Sequence, residues 1–216
     1  MIGDKLILRP YHYQPAKDIY TILSSEISDH TSLPYFISIA GESGCGKSTL
    51  GIALKEVLSE NGLKSFILHM DDYFHLPPTS NHLQRLEDIN HVGPQEVDLE
   101  LLQKHINEIK TGAIEIIKPL IHYKENDKRK EIFNPRDQQI IIIEGTYVSL
   151  LENLDCKIFM LRNYNDTKDD RINRARDPIT PFIEDVLEIE HSIIKKHKKL
   201  ASILVDKDYN VNKVDS

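Results

Sequence analysis

The chain alternates short apolar runs with longer amphipathic stretches. The apolar runs at 35–40, 64–70, 139–144, 156–161 and 202–205 are continuous rather than alternating. Strands covered on both faces read this way, because every side chain meets a helix whichever way it points. Between them, 47–60, 98–110, 166–176 and 180–200 carry helical periodicity, and a short helix is expected near 147–153. Gly62 and Gly112 follow the first two helices as stops, and Asp98 is placed to cap the second. The alternation predicts an α/β fold, a parallel sheet of about five strands with helices on both faces. Ahead of this core, Pro15 suits the first turn of a helix running on to Ile27. One domain is expected, with an extension over 1–34, a core over 35–207 and a loosely ordered polar tail over 208–216.

The first strand runs into GESGCGKSTL at 41–50. The spacing G-x-x-x-x-G-K-[ST] places Gly41, Gly46, Lys47 and Ser48 at fixed positions between a strand and a helix. Glycines let the backbone curl until successive N–H groups point at phosphate oxygens, and the following helix adds its N-terminal dipole. The nucleotide site is therefore expected over Gly41, Glu42, Ser43, Gly44, Cys45, Gly46, Lys47, Ser48 and Thr49. Lys47 would reach the β- and γ-phosphates, and the Ser48 hydroxyl would sit on Mg²⁺.

The second strand ends in Met70-Asp71-Asp72-Tyr73-Phe74. In a strand next to the phosphate-loop strand, its carboxyl end faces the crevice where ligands bind. Asp71 or Asp72 could there accept or orient the proton of an attacking hydroxyl. The run Ile140-Ile141-Ile142-Ile143-Glu144-Gly145 is a second buried strand ending in an acid, and Glu144 could hold Mg²⁺ through water or orient Ser48. His122 and Tyr123 are read in a loop, either stacking on a flat substrate or packing at the surface. Arg171 and Arg174, three apart, share one helix face. A GTPase is excluded: Asn212-Lys213-Val214-Asp215 spells N-K-x-D, but no helix follows it, and no glycine has Asp three positions earlier.

The net charge of −7 argues against a nucleic-acid surface. No apolar run approaches the ~20 residues that span a bilayer. Two distant cysteines give neither a disulfide framework nor a metal spacing. The start shows no secretory pattern, so the expected location is the cytoplasm.

In order along the chain, GESGCGKST, MDDYF, IIIIEG and RINRARD resemble the uridine kinase and phosphoribulokinase group of P-loop kinases over 35–207. The resemblance implies a P-loop NTPase fold with a helical lid, ATP and Mg²⁺ as cofactors, and transfer of the γ-phosphoryl group to a small hydroxyl acceptor. Uridine or cytidine leads as acceptor, with phosphoribulokinase-like and pantothenate kinase-like acceptors, or a non-catalytic switch, as alternatives. It implies Asp71 as catalytic base and a Mg²⁺ ligand beside Ser48 and Glu144. Arg171 and Arg174 become lid arginines acting with Lys47 on the transferring phosphate, with Arg176 ranked below them. Asp72, Tyr73, His122 and Tyr123 fall on the acceptor side. The chain departs from the group at Val92, where a ribose-gripping aspartate is usual, and at Asn126, near the place of a base-reading histidine. A homo-oligomer stays open.

Overall fold

A computed structural model describes residues 8–31, 34–174 and 180–214. The elements run α1 (Tyr13–Asp29), β1 (Tyr35–Gly41), α2 (Lys47–Glu60), β2 (Ser65–His69), α3 (Pro78–Glu87), α4 (Leu99–Lys110), β3 (Ile116–His122), β4 (Asp127–Phe133), β5 (Ile140–Gly145), β6 (Cys156–Met160), α5 (Lys168–Arg174), α6 (Pro181–Ile194), β7 (Ile203–Val205) and β8 (Val211–Lys213). A six-stranded sheet has the order β2-β5-β1-β6-β7-β8, parallel except for β8, and β3 and β4 form a separate antiparallel pair.

The continuous apolar runs are explained by two cores, one on each face. Ile37, Ile39, Ile140, Ile142 and Ile158 pack with Ala16, Ile19 and Leu23 of α1 and Leu50, Leu54 and Leu58 of α2. Their neighbours Phe36, Ala40, Ile141, Ile143 and Phe159 point the other way, to Leu102, Ile106 and Ile109 of α4 and Ile194 of α6. Successive strand residues alternate faces, so a strand buried twice must be apolar throughout.

Several expectations change. β2 pairs with β5 rather than with the phosphate-loop strand, so β5 lies between β1 and β2. The stretch read as a loop around His122 is strand β3, which ends at His122. Helix α3 and the hairpin were not foreseen: α3 is short and polar, and β4 is Asp127-Lys128-Arg129-Lys130-Glu131-Ile132-Phe133, most of it in solvent. The expected helix near 147–153 is a single 3₁₀ turn, Val148–Leu150. Over its described residues, 208–214, the tail is not loose. β8 pairs with β7, Val214 N donates to Ser202 O at 2.8 Å, and Lys213 pairs with Glu26 at 2.8 Å. Its N-K pair therefore sits on an edge strand. Among the described residues no helix is long and apolar enough to cross a membrane.

Candidate active site

The loop between β1 and α2 curls at Gly44 and Gly46, with φ of +82° and +101°, a region that side chains rarely adopt. At Gly44 an added Cβ would also stand 2.9 Å from Arg171 Cγ. The loop is held by local bonds: Cys45 N donates to Glu42 O, Leu50 N to Gly46 O, and Thr49 Oγ1 to Gly46 O at 2.7 Å. Lys47 opens α2, is almost fully buried, and donates from Nζ to Glu42 O at 2.8 Å. Ser43, Gly44, Gly46, Lys47, Ser48 and Thr49 line a cleft of about 480 Å³.

The other three loop residues stand behind it. Gly41 packs against Met160. Cys45 lies in the core beside α2, where burial pushes its thiol up, so it is an inert packing residue rather than a reactive one. Glu42 turns away from the cleft. Its carboxylate accepts from Tyr164 N at 2.8 Å and lies 2.6 Å from His191 Nδ1, tying the loop to α6.

Glu144, next to last in β5, lies directly opposite His69 of β2, and His69 Nδ1 stands 2.6 Å from Glu144 Oε1. Burial pushes the Glu144 carboxyl up, but His69, Lys47 and the Ser48 hydroxyl together outweigh it and hold it below its ordinary value. Gly145 follows because nothing larger fits: a Cβ there would fall 2.3 Å from Met70 Cβ. Met70 begins the 3₁₀ turn Met70–Tyr73 that carries Asp71 to the cleft. Ser48, Asp71 and Glu144 thus line one cleft with oxygen donors. Among the described residues no group of three or more His, Cys, Asp or Glu gathers as a metal site. Two carboxylates and a hydroxyl suit Mg²⁺, which keeps several waters and takes its remaining ligands from phosphates.

The acceptor-side residues divide. Tyr123 lines the cleft, whereas Asp72, Tyr73 and His122 do not. Asp72 is buried and accepts from Ile121 N at 3.0 Å, with Lys118 Nζ at 3.5 Å, so it anchors the hairpin. Tyr73 is fully buried with its hydroxyl 2.9 Å from His105 Nδ1 of α4. His122 faces Glu125 at 3.8 Å. Val92 is buried off the cleft. Asn126 accepts from Thr79 N at 2.8 Å and so fastens the hairpin turn to α3. Arg171 lines the cleft and donates to Tyr164 O at 2.9 Å, with Glu184 at 3.8 Å. Arg174 closes α5, its side chain outside the described set, and Arg176 lies outside the described residues.

Sequence reasoning missed the charged wall opposite the loop. Arg85 of α3 donates through Nη2 to Glu96 Oε2 at 2.9 Å and reaches Glu190 of α6 at 3.4 Å. Asn81 also donates to Glu96, and Glu190 accepts from the loop's Ser43 Oγ at 2.7 Å. Burial opposes the Arg85 charge, but the two carboxylates hold its pKa above the usual value. Burial pushes the Glu190 carboxyl up, against the pull of Arg85 and Ser43. The Tyr147 hydroxyl is buried on this wall with no partner among the described residues. No local spacing announces these residues, since they meet from three distant elements.

A family model described as the phosphoribulokinase/uridine kinase family matches residues 36–190. The chain belongs to this family. As a member it is a phosphotransferase acting on a hydroxyl acceptor. The chain is 29% identical over 188 residues to a uridine kinase of Clostridium novyi, covering 80% of this chain and 86% of that one. It is also 26% identical over 189 residues to the bifunctional alpha-galactosidase/sucrose kinase AgaSK of Mediterraneibacter gnavus, covering 81% of this chain but only 20% of that much longer protein. Among solved structures, a possible uridine kinase from Bacillus stearothermophilus superposes with a TM-score of 0.63 at 18% identity, covering 88% of this chain and 98% of the other. The family match begins at residue 36, so α1 and the segment before it lie outside it.

Proposed function

We propose that this family member transfers the γ-phosphoryl group of ATP to a hydroxyl of an uncharged small molecule, with the 5′-hydroxyl of uridine or cytidine as first candidate. The observation carrying the reading is that the phosphate loop and Asp71 line the same cleft. Loop N–H groups and the α2 N-terminus hold the phosphates, and Lys47 neutralises charge on the β- and γ-oxygens. Arg171, and by family resemblance Arg174, add positive charge over the phosphoryl group as it moves. Asp71 takes the proton of the attacking hydroxyl as the oxygen–phosphorus bond forms, and ADP leaves. Ser48, Glu144 and Asp71 would hold Mg²⁺, which would supply positive charge against the charge developing on the phosphates. The core 35–207 acts as one kinase unit, in the cytoplasm, without nucleic-acid or membrane partners.

The charge state of the wall supports an uncharged acceptor. Arg85 is already compensated by Glu96 and Glu190. Recruiting it to a phosphate or carboxylate would leave buried carboxylates unpaired, which is costly. That disfavours phosphoribulokinase-like and pantothenate kinase-like acceptors. A sugar hydroxyl is the second reading. It is favoured by Asp72, His122 and Val92 lying off the cleft, which leaves the family-derived nucleoside contacts unmade.

The test is acceptor-dependent ADP formation with uridine, cytidine and sucrose beside pantothenate and ribulose 5-phosphate. Turnover is expected with an uncharged compound. Efficient turnover confined to the anionic pair would refute the acceptor class.

A further inference from the structure

The nucleotide end of the cleft is walled partly by residues that precede the family match. Arg9, Tyr11 and His12 line the cleft together with Gly46, Thr49, Arg162, Asp170 and Tyr209. The rings form a cluster: Tyr11 to His12 at 4.3 Å, Tyr11 to Tyr209 at 5.4 Å and His12 to Tyr209 at 5.7 Å between centroids. Arg162 stands over the Tyr209 ring at 5.3 Å and donates to its hydroxyl at 2.8 Å. Tyr209 in turn borders the phosphate loop, its hydroxyl 3.4 Å from where a Cβ on Gly46 would lie.

The segment is held by its own chain. Pro10 opens a 3₁₀ turn, Pro10–His12, and Arg9 N donates to His12 Nδ1 at 3.0 Å. α1 follows at once and buries Ala16, Ile19 and Leu23 against α2, with Tyr13 donating to Glu56 at 2.6 Å. The helix that begins at Lys47 thus also fixes where Tyr11 stands. His12 is buried, but Tyr11 remains 44% exposed, so its ring has surface left for a ligand.

We propose that the segment before α1 is part of the nucleotide site: Tyr11, with Arg9 beside it, forms with Tyr209 a platform for the base of the bound nucleoside triphosphate. This rests on the reading of the cleft as an ATP site. A triphosphate seated on Gly46, Lys47 and Thr49 extends its nucleoside out of the loop, and this aromatic cluster borders the loop there. Aromatic rings receive bases by stacking, and a neighbouring guanidinium adds to the attraction. The extension would then contribute to affinity for the whole nucleotide while leaving phosphate binding to the loop.

Equilibrium titration of the full chain with Mg²⁺-ATP and with inorganic tripolyphosphate separates the two contributions. Tyr11→Ala is expected to weaken ATP about tenfold, within the range seen when a stacking ring is removed, and to leave tripolyphosphate unchanged. Tyr11→Phe keeps the ring and should bind ATP like the native chain. Arg9→Ala should weaken ATP by a smaller factor, again without touching tripolyphosphate. Equal loss of both ligands in Tyr11→Ala, or loss of neither, would overturn the proposal, as would a native chain binding tripolyphosphate as tightly as ATP. A native chain that binds neither ligand would instead overturn the proposed function, and this inference with it.

Discussion

The two ends of the cleft are built in opposite ways. The phosphate end is local: residues 41–50, two left-handed glycines and hydrogen bonds between residues three to five apart. The end proposed to take the acceptor is assembled from α3, the turn before α4, the hairpin and α6, and is fastened by charges, Arg85 to Glu96 and Glu190. Backbone geometry makes the first, and side-chain pairing across the fold makes the second. Damage at the first end should therefore appear in chemistry with the fold intact. Damage at the second should appear in stability as well.

Asp71→Asn should have the largest effect. It keeps the shape but cannot take a proton, so kcat should fall by about 10²–10⁴, far more than ATP affinity weakens. Asp72→Asn should act on the opposite quantity, lowering the unfolding midpoint through the hairpin while altering kcat less. If Asp72→Asn proved the more damaging to kcat, the division between the two residues would be wrong. Lys47→Ala should follow, with about 10²–10³ lost in turnover, the scale of removing one preorganised charge-stabilising donor. Its circular dichroism and melting curve should stay close to native, and near-normal turnover in a folded variant would break the site assignment.

Glu96→Gln comes next and probes the other end. It leaves the part-buried Arg85 leaning on Glu190 alone, and breaking such a pair costs up to about 3 kcal/mol. Urea unfolding should show that loss, and an unchanged midpoint would mean the charged wall does not hold the acceptor end together.

The smallest effect belongs to Glu190. Burial raises its carboxyl above the ordinary 4.5, so between the unfolded and folded values the native state keeps a proton that the unfolded chain gives up, and above the folded value it is the carboxylate that faces Arg85. That contribution is complete below the unfolded value and is lost as pH rises through the folded one. The stability of the native chain relative to Glu190→Gln should therefore fall as pH rises from about 4. A difference that is flat, or that grows with pH, would contradict the buried environment assigned to Glu190.

The legibility of the sequence follows the same division. β1 and β5 were readable because a strand buried on both faces is almost wholly apolar, with Ser38 and Glu144 as the polar exceptions. The phosphate loop was readable because its chemistry lies within ten consecutive residues. α3 and β4 were not readable: each buries a single residue, so neither carries a continuous apolar run or a strong apolar stripe. His69 and Glu144 meet only because β2 lies against β5, an adjacency that no local pattern contains. Asp71 and Asp72 read alike, yet adjacent places in one turn send the first to the cleft and the second to the Ile121 amide. The tail read as loose from its polarity. The ladder to β7, the ion pair with Glu26 and the placement of Tyr209 beside the loop order it instead.

The most direct measurement is the ratio of phosphorylated acceptor to ADP, followed with and without an uncharged hydroxyl compound that supports turnover. An in-line transferase that keeps water out should release one ADP for each phosphorylated acceptor and form little ADP when the acceptor is absent. ADP released at the same rate without acceptor, with no phosphorylated product, would make the cleft a hydrolysing switch and contradict the role given to Asp71.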